Sequence, residues 1–179
     1  MINQRIDERL KAAVRDVPDF PKPGIIFKDI TPILKDPDLC DAVADCMVEA
    51  IDADTVDVIA GIESRGFLFG LMLAQRLRKP FVPIRKVGKL PYDTVQQEYA
   101  LEYGRATIEI HADAFTVGNR VLIHDDLLAT GGTVVATSKL IQALGGSVAG
   151  YSFIISLDFL NGKDRLSDFS PLIHSLVGY

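Results

Sequence analysis

The chain has 179 residues, about the size of one domain, and 48% of them are hydrophobic, which is enough to fill a sizeable core. Its formal net charge of −5 disfavours a general nucleic-acid binder, since such proteins are usually basic. No segment approaches the roughly 18 consecutive apolar residues of a membrane span, and acids occupy the N-terminus where a secretory signal needs an apolar run. We therefore expect one domain over residues 1–179, cytoplasmic, with neither nucleic acid nor membrane as partner.

The cysteines and histidines show no metal-binding pattern. Cys40 and Cys46 fall on different faces of a helix-like run, which indicates free thiols in a reducing compartment. His111, His124 and His174 lack the spacing of a zinc site.

The N-terminal region predicts a helix followed by a rigid arm. A helical apolar stripe ends at Pro18, and its members are Ile6, Leu10, Ala13, Val14 and Val17. Four prolines between residues 17 and 32 exclude a long helix there, so we expect a mostly extended arm. A second helix is predicted from about Asp38 to Ile51.

Strands then alternate with helices. Strands are predicted at residues 57–61, 80–85, 120–124 and 147–156, with helices at 67–78 and 133–144. This α/β pattern predicts a central, mainly parallel sheet with helices on both faces. Such sheets bind ligands at the carboxyl ends of their strands, where two unusual turns of this chain fall.

A long polar segment separates the two units. Residues 87–102 exceed the usual connection between elements, which suggests a mobile flap. Tyr103 to Ile110 has the character of a strand returning from it.

The sharpest motif follows the strand at residues 120–124. Asp125 and Asp126 end that strand, and small residues then run through Gly131 and Gly132 into a helix start. The glycines let several N–H groups face one point, and the helix start adds a partial positive charge. With the hydroxyls of Thr130 and Thr133, this loop predicts a cradle for a phosphate monoester. The two carboxylates can accept hydrogen bonds from sugar hydroxyls and stabilise a cationic sugar carbon.

Residues 121–133, VLIHDDLLATGGT, resemble the phosphoribosyl-pyrophosphate-binding motif of type I phosphoribosyltransferases, in the form typical of their adenine-specific branch. Neither a Walker loop nor a dinucleotide fingerprint is present. The resemblance implies the type I phosphoribosyltransferase fold, with an N-terminal helix and hood over about residues 1–35. It also implies substrate contacts from Asp125, Asp126, Leu127, Ala129, Thr130, Gly131, Gly132 and Thr133.

Two further segments resemble the family's diphosphate site. The turn Glu63-Ser64-Arg65-Gly66 is similar to its diphosphate loop, which implies that Arg65 lies beside the base. Residues 83–91 are similar to its basic segment, where Arg85 and Lys89 would meet the diphosphate. Lys86 either joins them or faces water, and Val87 stands where the family frequently has another basic residue.

Residues 23–34 resemble the family's hood. The resemblance implies that the backbone at Ile26 reads the base edge and that Phe27 stacks on the purine, as suits an aromatic face. Lys28 either helps to bind diphosphate or is solvated.

The segment Leu101-Glu102-Tyr103-Gly104 matches the family's L-E-Y-G element. The match implies that Glu102 is the catalytic acid/base, exchanging a proton at N7 of adenine, and that Tyr103 supports the closed flap. Glu98 is the rival candidate for the proton exchange.

The resemblance as a whole implies transfer of phosphoribose from phosphoribosyl pyrophosphate to adenine, giving AMP and diphosphate. It implies Mg²⁺ carried by the diphosphate near Asp125 and Asp126, no metal bound by side chains alone, and a homodimer. Two alternatives stay open: transfer to a 6-oxopurine or another base, and a non-catalytic sensor, which the retained Glu102 disfavours. His124 stands where the family usually has an aliphatic residue, so it either tunes the aspartate pair or is a tolerated substitution.

Overall fold

The computed structural model describes residues 2–100 and 104–179. The first helix, α1 (Ile2–Ala13), ends four residues before the predicted boundary. Strand β1 (Arg15–Pro18) takes the residues that were expected to complete that helix. Pro18 disfavours the helical conformation at Val17, and Arg15 and Asp16 pair with β2 instead of continuing the helix.

The arm after β1 folds back instead of remaining extended. Strand β2 (Ile26–Asp29) pairs antiparallel with β1, so that Arg15 lies opposite Asp29. Inside the turn the Phe20–Pro21 peptide bond is cis, and the Gly24 N–H donates to Asp19 Oδ1 at 2.8 Å. The hood is therefore a β-hairpin whose turn is closed by a side-chain hydrogen bond.

The main sheet has seven strands in the order β5-β6-β4-β3-β7-β8-β9. The strands are β3 (Val58–Ile62), β4 (Phe81–Lys86), β5 (Thr94–Ala100), β6 (Arg105–His111), β7 (Arg120–Leu128), β8 (Ser147–Ser156) and β9 (Ile173–Gly178). Pairs among β4, β3, β7, β8 and β9 are parallel, whereas β6 is antiparallel to both β4 and β5. The predicted mainly parallel sheet is confirmed.

The helices lie on both faces of this sheet, as predicted. They are α2 (Pro37–Glu49), α3 (Gly66–Leu77) and α4 (Gly132–Ala143). Asp36 caps α2 by accepting a hydrogen bond from the Leu39 N–H at 3.0 Å. One core cluster joins α1, α2 and α3 to one side of the sheet, and the other packs α4 against the opposite side. Both cysteines are free thiols on α2.

Two strands differ from the sequence-based expectation. Strand β7 continues through Asp125 and Asp126 to Leu128, although a loop was predicted from Asp125 onwards. It continues because β8 runs beside it up to the Leu128–Ser156 pair. Strand β9 was not predicted, since it is short and half-buried along most of its length. Strand β5 lies within the segment predicted as a flap.

Across residues 2–100 and 104–179, every helix is too short or too polar to span a bilayer.

Candidate active site

A short loop, residues 129–131, joins the carboxyl end of β7 to the start of α4, and we call it the phosphate loop. Gly131 has a φ of +76°, a conformation that favours glycine. A Cβ at this position would lie 3.1 Å from the carbonyl oxygen of Gly162. Arg165 Nη1 also donates to the Thr130 carbonyl at 3.0 Å. The loop conformation therefore depends on the glycine at position 131 and on contacts with Gly162 and Arg165.

The main-chain N–H groups of residues 130–133 have no hydrogen-bond partner within the described part of the chain. The first hydrogen bond at the start of α4 is donated by the Val135 N–H to the Gly131 carbonyl, at 2.9 Å. Free donors at a helix N-terminus attract anions, because they coincide with the positive end of the helix dipole. The Thr133 hydroxyl donates to the hydroxyl of Tyr99 at 3.2 Å, so β5 lies directly against this helix start.

The aspartate pair lies immediately before the phosphate loop. Asp126 is 2% exposed, and its Oδ2 accepts a hydrogen bond from Arg65 Nε at 2.5 Å. Asp125 Oδ1 accepts from the Asp126 N–H at 2.8 Å. Burial, together with the neighbouring Asp126 carboxylate, raises the pKa of Asp125 well above its usual range. The pair is therefore costly to hold doubly ionised, unless a cation or hydroxyl donor is bound.

The turn formed by residues 63–66, which resembles the family's diphosphate loop, lies against Asp125 and Asp126. The Glu63–Ser64 peptide bond, within this turn, is cis. Gly66 opens α3 so close to β7 that a Cβ would lie 2.8 Å from the His124 carbonyl oxygen. Only glycine allows the turn to approach the aspartates this closely.

These elements enclose a polar cavity of about 260 Å³. Its walls are the turn, the aspartate pair and one residue of the basic segment: Glu63, Ser64, Arg65, Lys86, Asp125, Asp126 and Leu127. Seven lining residues thus include three carboxylates and two cations. Such a surface suits a polyhydroxylated, phosphorylated ligand rather than an apolar one.

Within the basic segment, the residue that lines the polar cavity is Lys86, whose involvement the sequence left open. Arg85 instead donates from Nε to Glu63 Oε2 at 3.2 Å and from Nη1 to the Lys89 carbonyl at 3.2 Å. Lys89 is exposed. The predicted contacts of Arg85 and Lys89 with diphosphate stay predictions.

A second, mainly apolar cavity of about 440 Å³ lies between the hood and the ends of β8 and β9. Its lining residues are Gly24, Ile25, Ile26, Lys28, Thr130, Leu157, Phe159, Leu160 and Tyr179. Thr130 places this cavity next to the phosphate loop. Its size and lining suit a flat heterocyclic base.

Two predicted hood residues have partners of their own. The ring of Phe27 lies 4.8 Å from the Arg65 guanidinium carbon and makes an edge contact with Phe20. The Lys28 ammonium bonds to Asp16 Oδ1 at 2.6 Å and lies 3.8 Å above the ring of Tyr179. Arg65 therefore bridges Phe27 and Asp126, and Lys28 belongs to the apolar cavity and is not a solvated side chain.

Sequence reasoning missed several residues of the apolar cavity, Leu157 and Tyr179 among them. Both directly follow a strand, β8 and β9 respectively. Their place at carboxyl strand ends is the signal that identifies Leu157, because β8 was predicted with its observed bounds. Glu102 and Tyr103 lie outside the described residues.

His124 is fully buried beside the aspartate pair, on the strand that carries it. Neither ring nitrogen has a hydrogen-bond partner among the described residues. Burial lowers the pKa of His124 to about 4, and the nearby Ser152 backbone offsets only part of that shift. The imidazole is neutral at physiological pH and carries no charge that acts on Asp125 or Asp126.

The comparisons with known proteins agree with this geometry. The model of the phosphoribosyl transferase domain family matches residues 29–158. An adenine phosphoribosyltransferase from Cytophaga hutchinsonii is 55% identical over 174 residues, covering 97% of this chain and 96% of that protein. The chain belongs to the adenine phosphoribosyltransferases. It is thus an enzyme, a pentosyltransferase among the glycosyltransferases.

Solved structures of adenine phosphoribosyltransferases share the whole fold. The enzyme from Thermoanaerobacter pseudethanolicus superimposes with a TM-score of 0.92 at 49% identity, covering 96% of this chain and 99% of that one. The enzyme from Saccharomyces cerevisiae, crystallised with adenine and an imino-altritol bisphosphate, gives 0.88 at 38% identity, covering 97% and 99%. The predicted type I phosphoribosyltransferase fold is confirmed.

Proposed function

We propose that this site joins adenine to phosphoribosyl pyrophosphate, giving AMP and diphosphate, and so serves purine salvage. The observation that carries the proposal is a set of N–H groups at residues 130–133 that have no partner within residues 2–100 and 104–179, placed between a polar and an apolar cavity. One substrate has a phosphate, a charged diphosphate and a sugar, and the other is a flat base. The three neighbouring sites match these parts.

The 5′-phosphate binds at the phosphate loop in this proposal. Main-chain N–H groups of Thr130, Gly131, Gly132 and Thr133 donate to its oxygens, supported by the α4 dipole. Leu127 and Ala129 line the approach. Anchoring this remote group positions the reacting sugar carbon without any covalent bond to the protein.

Diphosphate and ribose occupy the polar cavity. Arg65 and Lys86 neutralise the leaving diphosphate, with Arg85 and Lys89 at its outer edge. Asp125 and Asp126 accept hydrogen bonds from the ribose hydroxyls. As diphosphate departs, positive charge develops at the sugar carbon, and the two carboxylates stabilise it.

Mg²⁺ is the expected cofactor. Within the described residues, no three His, Cys, Asp or Glu side chains are grouped as a protein-only metal site requires. Two adjacent carboxylates, Asp125 and Asp126, suit a hard cation that keeps most of its ligands from diphosphate and water. When bound, Mg²⁺ would neutralise charge on the leaving diphosphate.

Adenine binds in the apolar cavity, between the hood and Leu157. The backbone at Ile26 reads the amino edge of the base. Phe27 is not among the residues that line this cavity, since its ring packs against Arg65. Its predicted stacking on the base therefore requires Arg65 to turn towards the diphosphate and the ring to turn towards the cavity. Lys28 and Tyr179 close the far side of the cavity. Glu102 exchanges the proton at N7 while N9 forms the bond to the sugar carbon and the bond to diphosphate breaks.

We also propose a cytoplasmic homodimer. Leu68 and Leu71 lie one turn apart on α3 and are 43% and 48% exposed, which leaves an apolar surface for a second copy. Sedimentation equilibrium should give twice the chain mass of 19.6 kDa. A mass of one chain at micromolar concentration contradicts the dimer.

The direct test measures adenine-dependent AMP formation by the wild type and by Glu102→Gln. Wild type should use adenine in preference to hypoxanthine, xanthine and uracil. The variant should lose about tenfold or more in turnover, because the proton exchange is lost, yet still bind phosphoribosyl pyrophosphate. Binding without turnover by the wild type would favour a sensor, and unchanged turnover in the variant would remove Glu102 from its role.

A further inference from the structure

Glu109 is a buried carboxylate that the reaction as described does not use. It lies in β6, the strand between β4 and β5, and is 2% exposed. Its register partners are Arg85 on β4 and Gln96 on β5. A buried carboxylate is retained only where hydrogen bonds replace the water it has lost.

Glu109 obtains these hydrogen bonds from the loop between β4 and β5. Oε1 accepts from the N–H groups of Lys89 and Leu90, both at 2.9 Å. Oε2 accepts from Thr94 Oγ1 at 3.3 Å and Gln96 Nε2 at 3.4 Å. Burial raises the pKa of Glu109, but N–H groups of Leu90, Gly88 and Lys89 outweigh it and leave the pKa below its usual range. The carboxylate is therefore charged at neutral pH.

Glu109 is linked to the polar cavity through the loop between β4 and β5, whose N–H groups it binds. The carbonyl of Lys89 accepts a hydrogen bond from Arg85 Nη1 at 3.2 Å, and Arg85 Nε donates to Glu63 at 3.2 Å. The same Glu63 oxygen accepts from the Lys86 N–H at 2.9 Å. Glu63 and Lys86 both line the polar cavity. A chain of hydrogen bonds thus runs from Glu109 to the side chains that meet the leaving group.

We propose that Glu109 is a positioning residue for diphosphate. It is an internal anion around which the loop between β4 and β5 (the basic loop, residues 87–93) folds, so that Arg85 and Lys86 at the end of β4 are held in place for the polar cavity. It touches no substrate itself. The inference rests on the proposed function, because that function places diphosphate in this cavity. It predicts an effect confined to the diphosphate part of the substrate.

The test compares Glu109→Gln with Ile110→Val, a change at the next residue of β6. Ile110 is fully buried in the core that packs under α4, so its variant loosens packing without touching the loop. Calorimetry measures the dissociation constants of inorganic diphosphate with Mg²⁺ and of AMP, which lacks diphosphate. Steady-state kinetics give KM for each substrate.

For Glu109→Gln we expect the diphosphate dissociation constant and the KM for phosphoribosyl pyrophosphate to rise about fivefold or more, since displaced cations weaken charge pairing. In the same variant, the AMP dissociation constant and the KM for adenine should stay within about twofold of the wild-type values. In Ile110→Val, all of these constants should stay within about twofold of wild type. Unchanged diphosphate binding overturns the proposal. An equal loss of AMP and diphosphate affinity also overturns it, because that pattern reports general damage.

A milder variant keeps the test decisive if Glu109→Gln does not fold. Thr94→Val with Gln96→Leu removes both donors to Oε2 and leaves Oε1 bound to the loop. Diphosphate binding should weaken about fourfold while AMP binding stays within about twofold, and diphosphate binding within about twofold of wild type overturns the inference. If wild type binds diphosphate but forms no AMP, the proposed function fails while the role of Glu109 is still tested by binding.

Discussion

The phosphate loop and the basic loop use their main chains in opposite ways. In the phosphate loop the N–H groups of residues 130–133 are left without partners inside the described chain. In the basic loop, between β4 and β5, the N–H groups of Lys89 and Leu90 are taken up by the buried Glu109. In the proposed function the first loop offers its backbone to a ligand, whereas the second supports the cations at the end of β4.

The difference illustrates two ways to build an anion-binding site, one from main-chain N–H groups and one from side-chain cations. Backbone donors are fixed by a glycine conformation and by a helix start, so they need no charged side chain. Side-chain cations are flexible and repel one another, and we infer that for this reason the loop that follows Arg85 and Lys86 folds around an internal anion. We therefore expect the phosphate loop to be sensitive to backbone changes, and the basic loop to charge changes.

The largest effect is expected from Gly131→Ala. A side chain at φ +76° is strained, and its Cβ would crowd the Gly162 carbonyl, so the loop must shift. Loss of two amide-to-phosphate hydrogen bonds predicts a roughly thousandfold fall in kcat/KM for phosphoribosyl pyrophosphate. Gly118→Ala is the matched control, because Gly118 has a φ of +89° with open space around it. Equal losses in both variants would contradict a specific role for Gly131.

His124→Val tests β7, the strand that leads into the phosphate loop. Unlike the Glu109 carboxylate, the buried His124 ring has no hydrogen-bond partner in the part of the chain that the structure describes. In the folded protein its pKa is about 4, against 6.5 unfolded, so only the unfolded chain takes up a proton between these values. Wild type should lose about 3 kcal/mol of unfolding free energy as pH falls from 6.5 to 4, beyond any loss in the variant. Urea denaturation at fixed protein concentration across this range measures it. Parallel pH curves for the two proteins would refute the prediction.

Lys86→Gln is expected to have a smaller effect and tests which cation serves the polar cavity. Both side chains are exposed, but only Lys86 is among the residues that line that cavity. We expect KM for phosphoribosyl pyrophosphate to rise roughly tenfold in Lys86→Gln and about threefold in Lys89→Gln. Lys139→Gln, on the exposed side of α4, serves as the control. A larger effect at Lys89 would reverse the order that the structure indicates.

The smallest effect belongs to Tyr99→Phe. It removes one neutral hydrogen bond, from the Thr133 hydroxyl at the start of α4. A neutral bond of this kind predicts a change in kcat/KM of about threefold. Thr133→Ser, which retains the hydroxyl, should change less than Tyr99→Phe. A loss comparable to that of Gly131→Ala would show that the hydroxyl contact, and not the backbone, holds the phosphate.

Local pattern was sufficient for much of the fold and for the phosphate loop. The bounds of β8 follow from an apolar run, and the turn at Gly131 follows from the backbone freedom of glycine. Both features can therefore be predicted from the sequence alone. The extension of β7 through Asp125 and Asp126 depends on pairing with β8. The role of Glu109 depends on a loop that returns to it from about twenty residues earlier. Leu157 and Tyr179 meet the hood only through the tertiary fold.

The most direct test of the account follows the backbone amide resonances of residues 130–133 in ¹H–¹⁵N spectra during titration. AMP should shift these amides strongly, whereas adenosine, which has no phosphate, should leave them nearly unchanged. The amides of Lys89 and Leu90 should respond little even to diphosphate, because Glu109 already binds them. If AMP leaves the amides of residues 130–133 in place, the phosphate is held elsewhere and the central claim is wrong.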